Sequence, residues 1–513
     1  LRPAGWRLKS SGGTPEGPLS FLKMLSSVTD AIQQGAFRRG ANMGTMRIDH
    51  PDVLRFVRIK EDLSQVTNYN LSCTVPDEFM ERLKAGRQKL HVAVNPHDGR
   101  KALLRKSDDM ADYEAFENGA TGSDEYWTSG ELFELIVQKA WQSGEPGLIF
   151  IDRVNEVNPT PNVGPMTSTN PCGEQPLLPY EACNLGSLNL AMFHAPGQGH
   201  ADDIDWDGLG ETVRTAVRFL DDVVEVNNYP TPEIDEMCRA NRKIGLGVMG
   251  WADLLFAKGI RYDGDEALSL AGRVGEFIRK EAWDEDTRLA EEKGTFTHWE
   301  GSRGDKVAGR KMRNAHCVTI APTGTISIIG GCSGGIEPIF SLVFKRQVMR
   351  DAQGNATVMF EANPFFLNAL EEHSYTQDEI EAIKEHACNH GTLTGCPVKL
   401  SDALLDVFRS ARDVGPDWHV KMQAAWQKHT DAAVSKTINF PPEATVEEVE
   451  TAYLLAYETG CKGITVYRDG SRQNQPMALD AKKAKPENAS SSAADSSAET
   501  SAKDEIIDML LEG

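Results

Sequence analysis

Short apolar segments bounded by glycine and proline alternate along this chain with long segments of helical periodicity. The clearest apolar runs, each of a length suited to a buried strand, are residues 147–152, 316–320 and 464–467. Apolar residues recur at helical spacing over three long segments, 19–33, 208–226 and 265–292. Strands that alternate with helices predict an α/β architecture. Propensity alone does not distinguish a barrel from a doubly wound sheet.

One segment, Thr169–Leu177, can form neither a helix nor a central strand, because prolines and a glycine interrupt it. It places the thiol of Cys172 between the amide of Asn170 and the carboxylate of Glu174, at one-residue spacing. A second thiol, Cys183, follows in the next segment. A sulfur beside a hydrogen-bond donor and an acid/base group suits chemistry on a small polar substrate. Taken by itself, the segment is equally consistent with a surface turn that carries an incidental cysteine.

Composition narrows the classes of partner and compartment. The 513 residues are 40% hydrophobic and 25% charged, which is enough for a large core. A net charge of −22 argues against nucleic acid or an anionic membrane as the main partner. No apolar run is long enough to span a bilayer. The nine cysteines include no C-x-x-C pair and predict a reducing, cytoplasmic location.

The segment around Cys172 resembles the active-site finger loop of ribonucleotide reductase large subunits, most closely the adenosylcobalamin-dependent class II enzymes. Further blocks resemble the same family and follow its order: Ser11–Pro18, Gln34–Ala41 with Asp49–Asp52, Lys243–Gly250, Ala321–Thr325 with Gly335–Pro338, and Gly460–Arg468. The resemblance implies a ten-stranded α/β barrel over residues 1–473, with a central finger loop that carries the thiyl cysteine. Residues 474–513 are of low complexity and predict a disordered tail.

The resemblance also implies roles for the loop residues. Cys172 would become a thiyl radical and remove the ribose 3′ hydrogen. Asn170 would hold the ribose hydroxyls, and Glu174 would accept the 3′-hydroxyl proton as a general base. Cys183 would be one of the two thiols that supply electrons for loss of the 2′-hydroxyl.

Two further segments are implied to bind nucleotides. Pro322, Thr323, Gly324 and Thr325, together with Gly35, would bind the substrate, because hydroxyls and N–H groups at a strand-to-helix turn bind phosphate. Arg38 and Arg39 would contact an effector nucleotide, since the planar guanidinium can bond base edges and phosphates. A plain β-turn and a solvated basic turn are the respective alternatives.

The family's class depends on the source of the radical. Class I large subunits receive it through two adjacent tyrosines in a segment similar to Gly460–Arg468, where this chain has only Tyr467. We therefore expect a class II ribonucleoside-diphosphate reductase that uses adenosylcobalamin. Its expected partners are a ribonucleoside diphosphate (a triphosphate is not excluded), a dNTP or ATP effector, a thioredoxin-type or dithiol reductant, and a second copy of the chain in a homodimer.

One departure from the family pattern keeps alternatives open. The second redox cysteine of the family precedes the Ser11–Pro18 block, and no cysteine stands there. We expect a separate polypeptide or upstream sequence to supply it. The alternatives are a class I-type large subunit that needs a radical-generating partner, and a catalytically silent nucleotide-binding scaffold.

Two other patterns are weak indications of a binding site. Gly245–Gly250 matches the dinucleotide-binding fingerprint, but a helix-like segment precedes it where a strand is required, so we interpret its glycines as packing positions. His386, Cys388, His390 and Cys396 have spacings that fit a metal site poorly, and no metal site is expected.

Overall fold

The structure, a computed structural model, describes residues 1–6, 12–32, 40–199, 201–350 and 356–471. Its strands are β1 Asn42–Arg47, β2 Tyr69–Val75, β3 Val92–Val94, β4 Lys101–Leu104, β5 Ala111–Asp112, β6 Gly147–Phe150, β7 Ser168–Thr169, β8 Pro176–Leu177, β9 Asn184–Asn189, β10 Ile244–Met249, β11 Val343–Arg350, β12 Ala356–Ala362, β13 Thr437–Phe440 and β14 Gly463–Arg468. The expected tail, 474–513, lies outside the described residues.

The helices connect and cover these strands. They are α1 Pro18–Ala31, α2 Val53–Val57, α3 Asp77–Ala85, α4 Tyr113–Glu117, α5 Ser129–Ser143, α6 Ile151–Glu156, α7 Trp206–Val226, α8 Pro232–Asn241, α9 Trp251–Ala257, α10 Asp265–Lys293, α11 Ile326–Ile329, α12 Pro364–Glu372, α13 Gln377–His390, α14 Asp402–Val407, α15 Pro416–Gln427 and α16 Val446–Glu458. In the part of the chain that the structure describes, none of the helices has the length and apolar character needed to cross a membrane.

Seven of these strands form one series, which isolated bridges complete, while β3–β5, β7–β8 and β11–β12 form separate small sheets. Five of them pair in the order β1-β2-β6-β14-β13, in which β14 runs antiparallel to β6 and parallel to β13. Val434, just before β13, bridges to Ile320, and Val318 bridges to Leu246 of β10, which pairs with β9. Two groups of parallel strands thus run in opposite directions and meet at β6 and β14. Within the described residues the pairings do not close into a ring.

The three predicted helical segments are confirmed as α1, α7 and α10, and the run at 464–467 is confirmed as β14. The run at 147–152 was predicted too long, because β6 ends at Phe150 and the next residues begin α6. An apolar run does not mark where extended backbone turns into helix. The segment 316–320 bridges neighbouring strands on both sides, although it is not a full strand in the structure.

Two hydrophobic clusters form where helices pack against the strands. One packs α5 and α16 against the sheet of β1, β2, β6 and β14, and a capping box defines the start of each helix. The other packs α7, α9 and α10 against β9 and β10, and Trp251 meets Trp426 edge-on at 5.3 Å between ring centroids. After β6 and α6, the chain continues through residues 157–167 to the β7–β8 hairpin.

The glycines of Gly245–Gly250 lie in and after β10 rather than in a loop that follows a strand. Helix α8 precedes them, as the sequence predicted. A Cβ atom on Gly247 would lie 2.3 Å from the carbonyl oxygen of Thr319. Close packing of β10 against the segment 316–320 therefore requires glycine here.

Candidate active site

The finger loop, residues 170–175, is the turn of the β7–β8 hairpin. The Asn170 N–H donates to the Gln175 carbonyl at 3.1 Å, and the Asn170 Oδ1 accepts from the Gln175 N–H at 3.0 Å. The Gly173 N–H donates to the Asn170 carbonyl at 3.0 Å, with Gly173 at φ 83°. Such a positive φ favours glycine. The loop is therefore closed by its own hydrogen bonds, and Cys172 lies exposed at its tip.

Two neighbouring strands hold the loop in place. The Glu174 carbonyl accepts from the Ala433 N–H at 2.8 Å and from the Thr319 hydroxyl at 3.0 Å. From β2, the Asn70 side chain donates to the Pro171 carbonyl at 2.7 Å. These bonds fix the loop between the two groups of parallel strands, where the resemblance implies that it lies. Asn70 and Thr319 were not predicted, because isolated polar residues in strands give no local signal of a distant partner.

Glu174 has the character of a proton acceptor. Its side chain is only 1% exposed, and its Oε2 has no hydrogen-bond partner among the described residues. Burial raises the pKa of this carboxyl above its usual range, while a hydrogen bond from the Asn170 side chain acts in the opposite direction. A buried carboxyl with an unpartnered oxygen can take a proton from a hydroxyl group placed beside it.

Cys183 lies half-buried at the start of β9. Burial raises the pKa of its thiol well above the usual range, and the charge of Lys243 opposes this shift. Glu174 is among the charges that act on this thiol, so the two predicted site residues share one electrostatic environment. Lys243 forms a buried ion pair with Glu181 at 2.6 Å. The sulfur therefore remains a thiol at neutral pH, the form that carries a transferable hydrogen.

The phosphate turn, Ala321–Thr325, begins directly after the segment that binds the finger loop. Thr323 is buried at φ 54°, and its hydroxyl accepts from the Gly335 N–H at 2.7 Å. This hydroxyl has a structural partner within the protein. Pro322, Gly324 and Thr325 are exposed, so they form the accessible part of the turn. The structure thus brings the turn and the finger loop to the same region of the strand series.

A buried charged cluster, not predicted from the sequence, lies beneath this turn. Lys436 is 0% exposed, and its ammonium donates to the Glu337 carboxylate and, at 2.7 Å, to the Nδ1 of His419. Glu337 also accepts from the Thr437 N–H at 2.8 Å. Burial lowers the pKa of Lys436, and the Glu337 carboxylate opposes the shift. The cluster ties the Gly335–Pro338 block, which supports Thr323, to the start of β13.

The structure does not describe all of the predicted site residues. Gly35, Arg38 and Arg39 lie outside the described residues. His386 and His390 stack on α13 with ring centroids 4.3 Å apart. In the described ranges, no three His, Cys, Asp or Glu side chains are grouped so that they could hold a metal ion.

This combination of strand series, finger loop and turn agrees with the α/β barrel that the resemblance implies. Residues 1–467 match the family model described as "Ribonucleotide reductase, barrel domain". The chain belongs to this family, and the predicted α/β barrel class is confirmed.

Several relatives and one solved structure are similar to the chain. The vitamin B12-dependent ribonucleoside-diphosphate reductase of Mycobacterium tuberculosis is 43% identical over 94% of this chain and 64% of its own length. The protein of the same name from Thermoplasma acidophilum is 42% identical over 93% of this chain and 57% of its own length. The Actinobacillus ureae class Id ribonucleotide reductase alpha subunit has a TM-score of 0.68 and 22% identity, over 92% of this chain and 76% of that one. The chain therefore spans less than two thirds of these curated relatives.

Proposed function

We propose that this chain is the catalytic barrel of a class II ribonucleotide reductase, which converts ribonucleoside diphosphates to 2′-deoxyribonucleotides with adenosylcobalamin. The geometry of the finger loop carries the proposal, because it presents the exposed Cys172 next to a buried Glu174 whose Oε2 has no hydrogen-bond partner in the part of the chain that the structure describes. The names of the two relatives, which specify vitamin B12 and diphosphates, support the cofactor and the substrate class.

The accessibility of Cys172 fits a bulky radical source. A Cβ atom on the adjacent Gly173 would meet nothing within 4 Å, so the loop tip is open on this side. When bound, adenosylcobalamin supplies a radical through homolysis of its cobalt–carbon bond. Cys172 would then carry the unpaired electron and take the hydrogen atom from C3′ of the ribose. The Asn170 amide, held beside Glu174, would orient the ribose hydroxyls, and Glu174 would accept the 3′-hydroxyl proton.

The reduction itself needs two electrons. The C2′–OH bond breaks, a C2′–H bond forms and water leaves, while two thiols become a disulfide. Cys183 is proposed as one of these thiols, and its thiol form agrees with the transfer of a hydrogen. The second thiol and an external thioredoxin-type or dithiol reductant complete the balance.

Nucleotide binding is proposed at two places. The exposed Gly324 and Thr325 offer a backbone N–H and a hydroxyl to the substrate's phosphates, together with Gly35. Arg38 and Arg39 are proposed to contact a dNTP or ATP effector. The barrel is proposed to occupy residues 1–473, and the thiol chemistry fits the cytoplasmic location predicted from the cysteines.

A homodimer is supported by helix α1. Four apolar side chains of this helix are exposed in one helical pattern, namely Phe21, Met24, Leu25 and Val28. An exposed apolar face of this kind is typical of a protein interface. We propose that a second copy of the chain covers it.

The test is an assay of deoxynucleotide formation from ADP or CDP with dithiothreitol and adenosylcobalamin. It is run with and without a polypeptide that carries the second redox cysteine. We expect product that depends on adenosylcobalamin, in full amount when the second thiol is present. Product that depends instead on a metal-carboxylate partner would support a class I-type subunit. Nucleotide binding without product in either mixture would support the silent scaffold.

A further inference from the structure

A cavity of about 470 Å³ opens at the other end of the strand series from the phosphate turn. His316, at the start of the segment 316–320, contributes to its wall, whereas the phosphate turn follows the end of that segment. Lys462, directly before β14, and Arg153, on the helix after the antiparallel β6, also line it. The finger loop and the phosphate turn contribute no residue to the lining. The cavity is therefore separate from the proposed substrate site.

The lining carries an excess of positive charge. Three carboxylates, Asp77, Glu156 and Asp431, face five cationic side chains: Arg153, Arg279, Arg303, Lys428 and Lys462. Of these cations, Lys462 is buried and Lys428 is exposed at the rim. A concave site with walls of low dielectric constant concentrates the positive electrostatic potential of these side chains.

The central carboxylate of the cavity already has its full set of donors. Asp431 accepts from the Cys317 and Val318 N–H groups, each at 3.0 Å, and from the Trp283 indole at 2.9 Å. The Arg279 guanidinium lies 3.3 Å from its other oxygen. This carboxylate is therefore occupied in holding the start of the segment 316–320 and Arg279. Arg153 in turn lies 3.9 Å from the Asp77 carboxylate.

Among the described residues, the hydrogen bonds that Lys462 and Arg303 donate all go to main-chain carbonyls. The Lys462 ammonium bonds the carbonyls of Asp431, at 2.8 Å, and Ala432, and the Arg303 guanidinium bonds that of Glu156 at 3.0 Å. Neither pairs with a carboxylate in the part of the chain that the structure describes. Burial lowers the pKa of Lys462 to about 7; Asp431 opposes this shift, and Arg279 and Arg303 add to it. An anion in the cavity would relieve this repulsion.

An unpartnered acceptor lies in the same wall. His316 is 3% exposed, and its Nδ1–H donates to the Ile244 carbonyl at 2.9 Å, so its Nε2 is the acceptor of the neutral ring. That Nε2 has no partner among the described residues. Burial lowers the pKa of His316 to about 4, which keeps the ring neutral. A buried acceptor of this kind calls for a donor such as a ligand hydroxyl.

We propose that this cavity binds a small phosphorylated metabolite, with its phosphate at Lys462 and Arg303 and a hydroxyl group at His316. The volume lies within the usual range of small-molecule sites and is sufficient for a sugar phosphate. The proposal goes beyond the reductase activity, since it concerns a second site at the opposite end of the barrel.

The test is calorimetric titration of the full chain with ribose 5-phosphate and, separately, with ribose. We expect saturable binding of the phosphate ester and binding of ribose that is weaker by about tenfold or more, since a charge-assisted hydrogen bond accounts for at least one decade of affinity. Absence of saturable binding, or equal binding of the two sugars, would overturn the proposal.

Variants test whether ribose 5-phosphate binds in this cavity. Arg303→Gln should weaken ribose 5-phosphate by about tenfold, whereas Lys421→Gln, at an exposed ion pair on α15, should leave it unchanged. Thr325→Ala, in the phosphate turn, should also leave it unchanged. If Thr325→Ala abolishes binding and Arg303→Gln does not, the ligand occupies the substrate site and the cavity proposal is wrong. Arg303 is partly exposed, so we expect the Arg303→Gln variant to fold like the unchanged protein.

Discussion

At the scale of single residues, the finger loop places two neighbouring side chains in different environments. Cys172 is exposed, whereas Glu174, two positions later, is buried and its Oε2 has no hydrogen-bond partner among the described residues. The Asn170 side chain both closes the loop and bonds the Glu174 carboxyl. Asn170 and Glu174 therefore act as a pair, in which burial raises the pKa of the carboxyl and the hydrogen bond from Asn170 opposes that shift.

Glu174→Gln tests the role of the carboxyl as a base. The amide keeps the size of the side chain but cannot accept the proton, so turnover should fall by about 10²- to 10⁴-fold. In the unchanged enzyme, activity should fall as the pH drops through the raised pKa of Glu174, because protonation removes the base. Steady-state turnover against pH measures both effects. A variant with an unchanged rate and pH profile would exclude Glu174 as the base.

Lys436→Met tests the buried cluster beneath the phosphate turn. Loss of the ammonium removes the charge partner of the Glu337 carboxylate, whose side chain is 27% exposed and keeps its hydrogen bond from the Thr437 N–H. We expect a loss of about 1–3 kcal/mol in the free energy of unfolding. The double variant Lys436→Met/Glu337→Gln should regain part of that stability. Urea unfolding measures both. Equal stability of the single variant and the unchanged protein would show that the pair contributes nothing.

At the scale of elements, the packing of β10 against the segment 316–320 sets how closely the strands approach. Gly247→Ala would place a methyl group 2.3 Å from the Thr319 carbonyl, a backbone atom that cannot turn aside. We expect a loss of about 1–3 kcal/mol in stability by overpacking. Gly186→Ala on the neighbouring β9 is the matched control, because its methyl would meet only Leu220 at 3.5 Å. Similar urea midpoints for the two variants would contradict this packing.

Local patterns were sufficient to predict the elements but not their long-range connections. The helices α1, α7 and α10 follow from apolar periodicity. The apolar faces of α7 and α10 are buried, whereas most apolar side chains of α1 are exposed. The finger loop was found from residue chemistry, because proline and glycine exclude regular structure there. The cluster of Lys436, Glu337 and His419 was not found. Its members are far apart in the sequence, and each is by itself an ordinary polar residue next to apolar ones.

At the scale of the whole molecule, the two antiparallel groups of strands produce two ends with different chemistry. One end carries the exposed phosphate turn near the finger loop, and the other carries the cationic cavity around Lys462. The wider exposed surface includes the apolar face of α1, which the proposed dimer would cover.

Val28→Glu tests the dimer. A charge in the middle of the apolar face should shift the chain to a monomer at micromolar concentration, because an unpaired carboxylate is costly to bury. Val307→Glu is the control, since Val307 is exposed on a different segment. Sedimentation equilibrium gives the mass of each. If both variants keep the mass of the unchanged protein, α1 is not the interface.

The central claim is that Cys172 removes the ribose 3′ hydrogen and that Cys183 acts only afterwards. It is tested most directly by the release of tritium from 3′-tritiated ADP with adenosylcobalamin, for Cys172→Ala and Cys183→Ala side by side. We predict that Cys172→Ala abolishes the release, whereas Cys183→Ala retains it and forms no deoxynucleotide. Equal release from the two variants would contradict the assignment of both thiols.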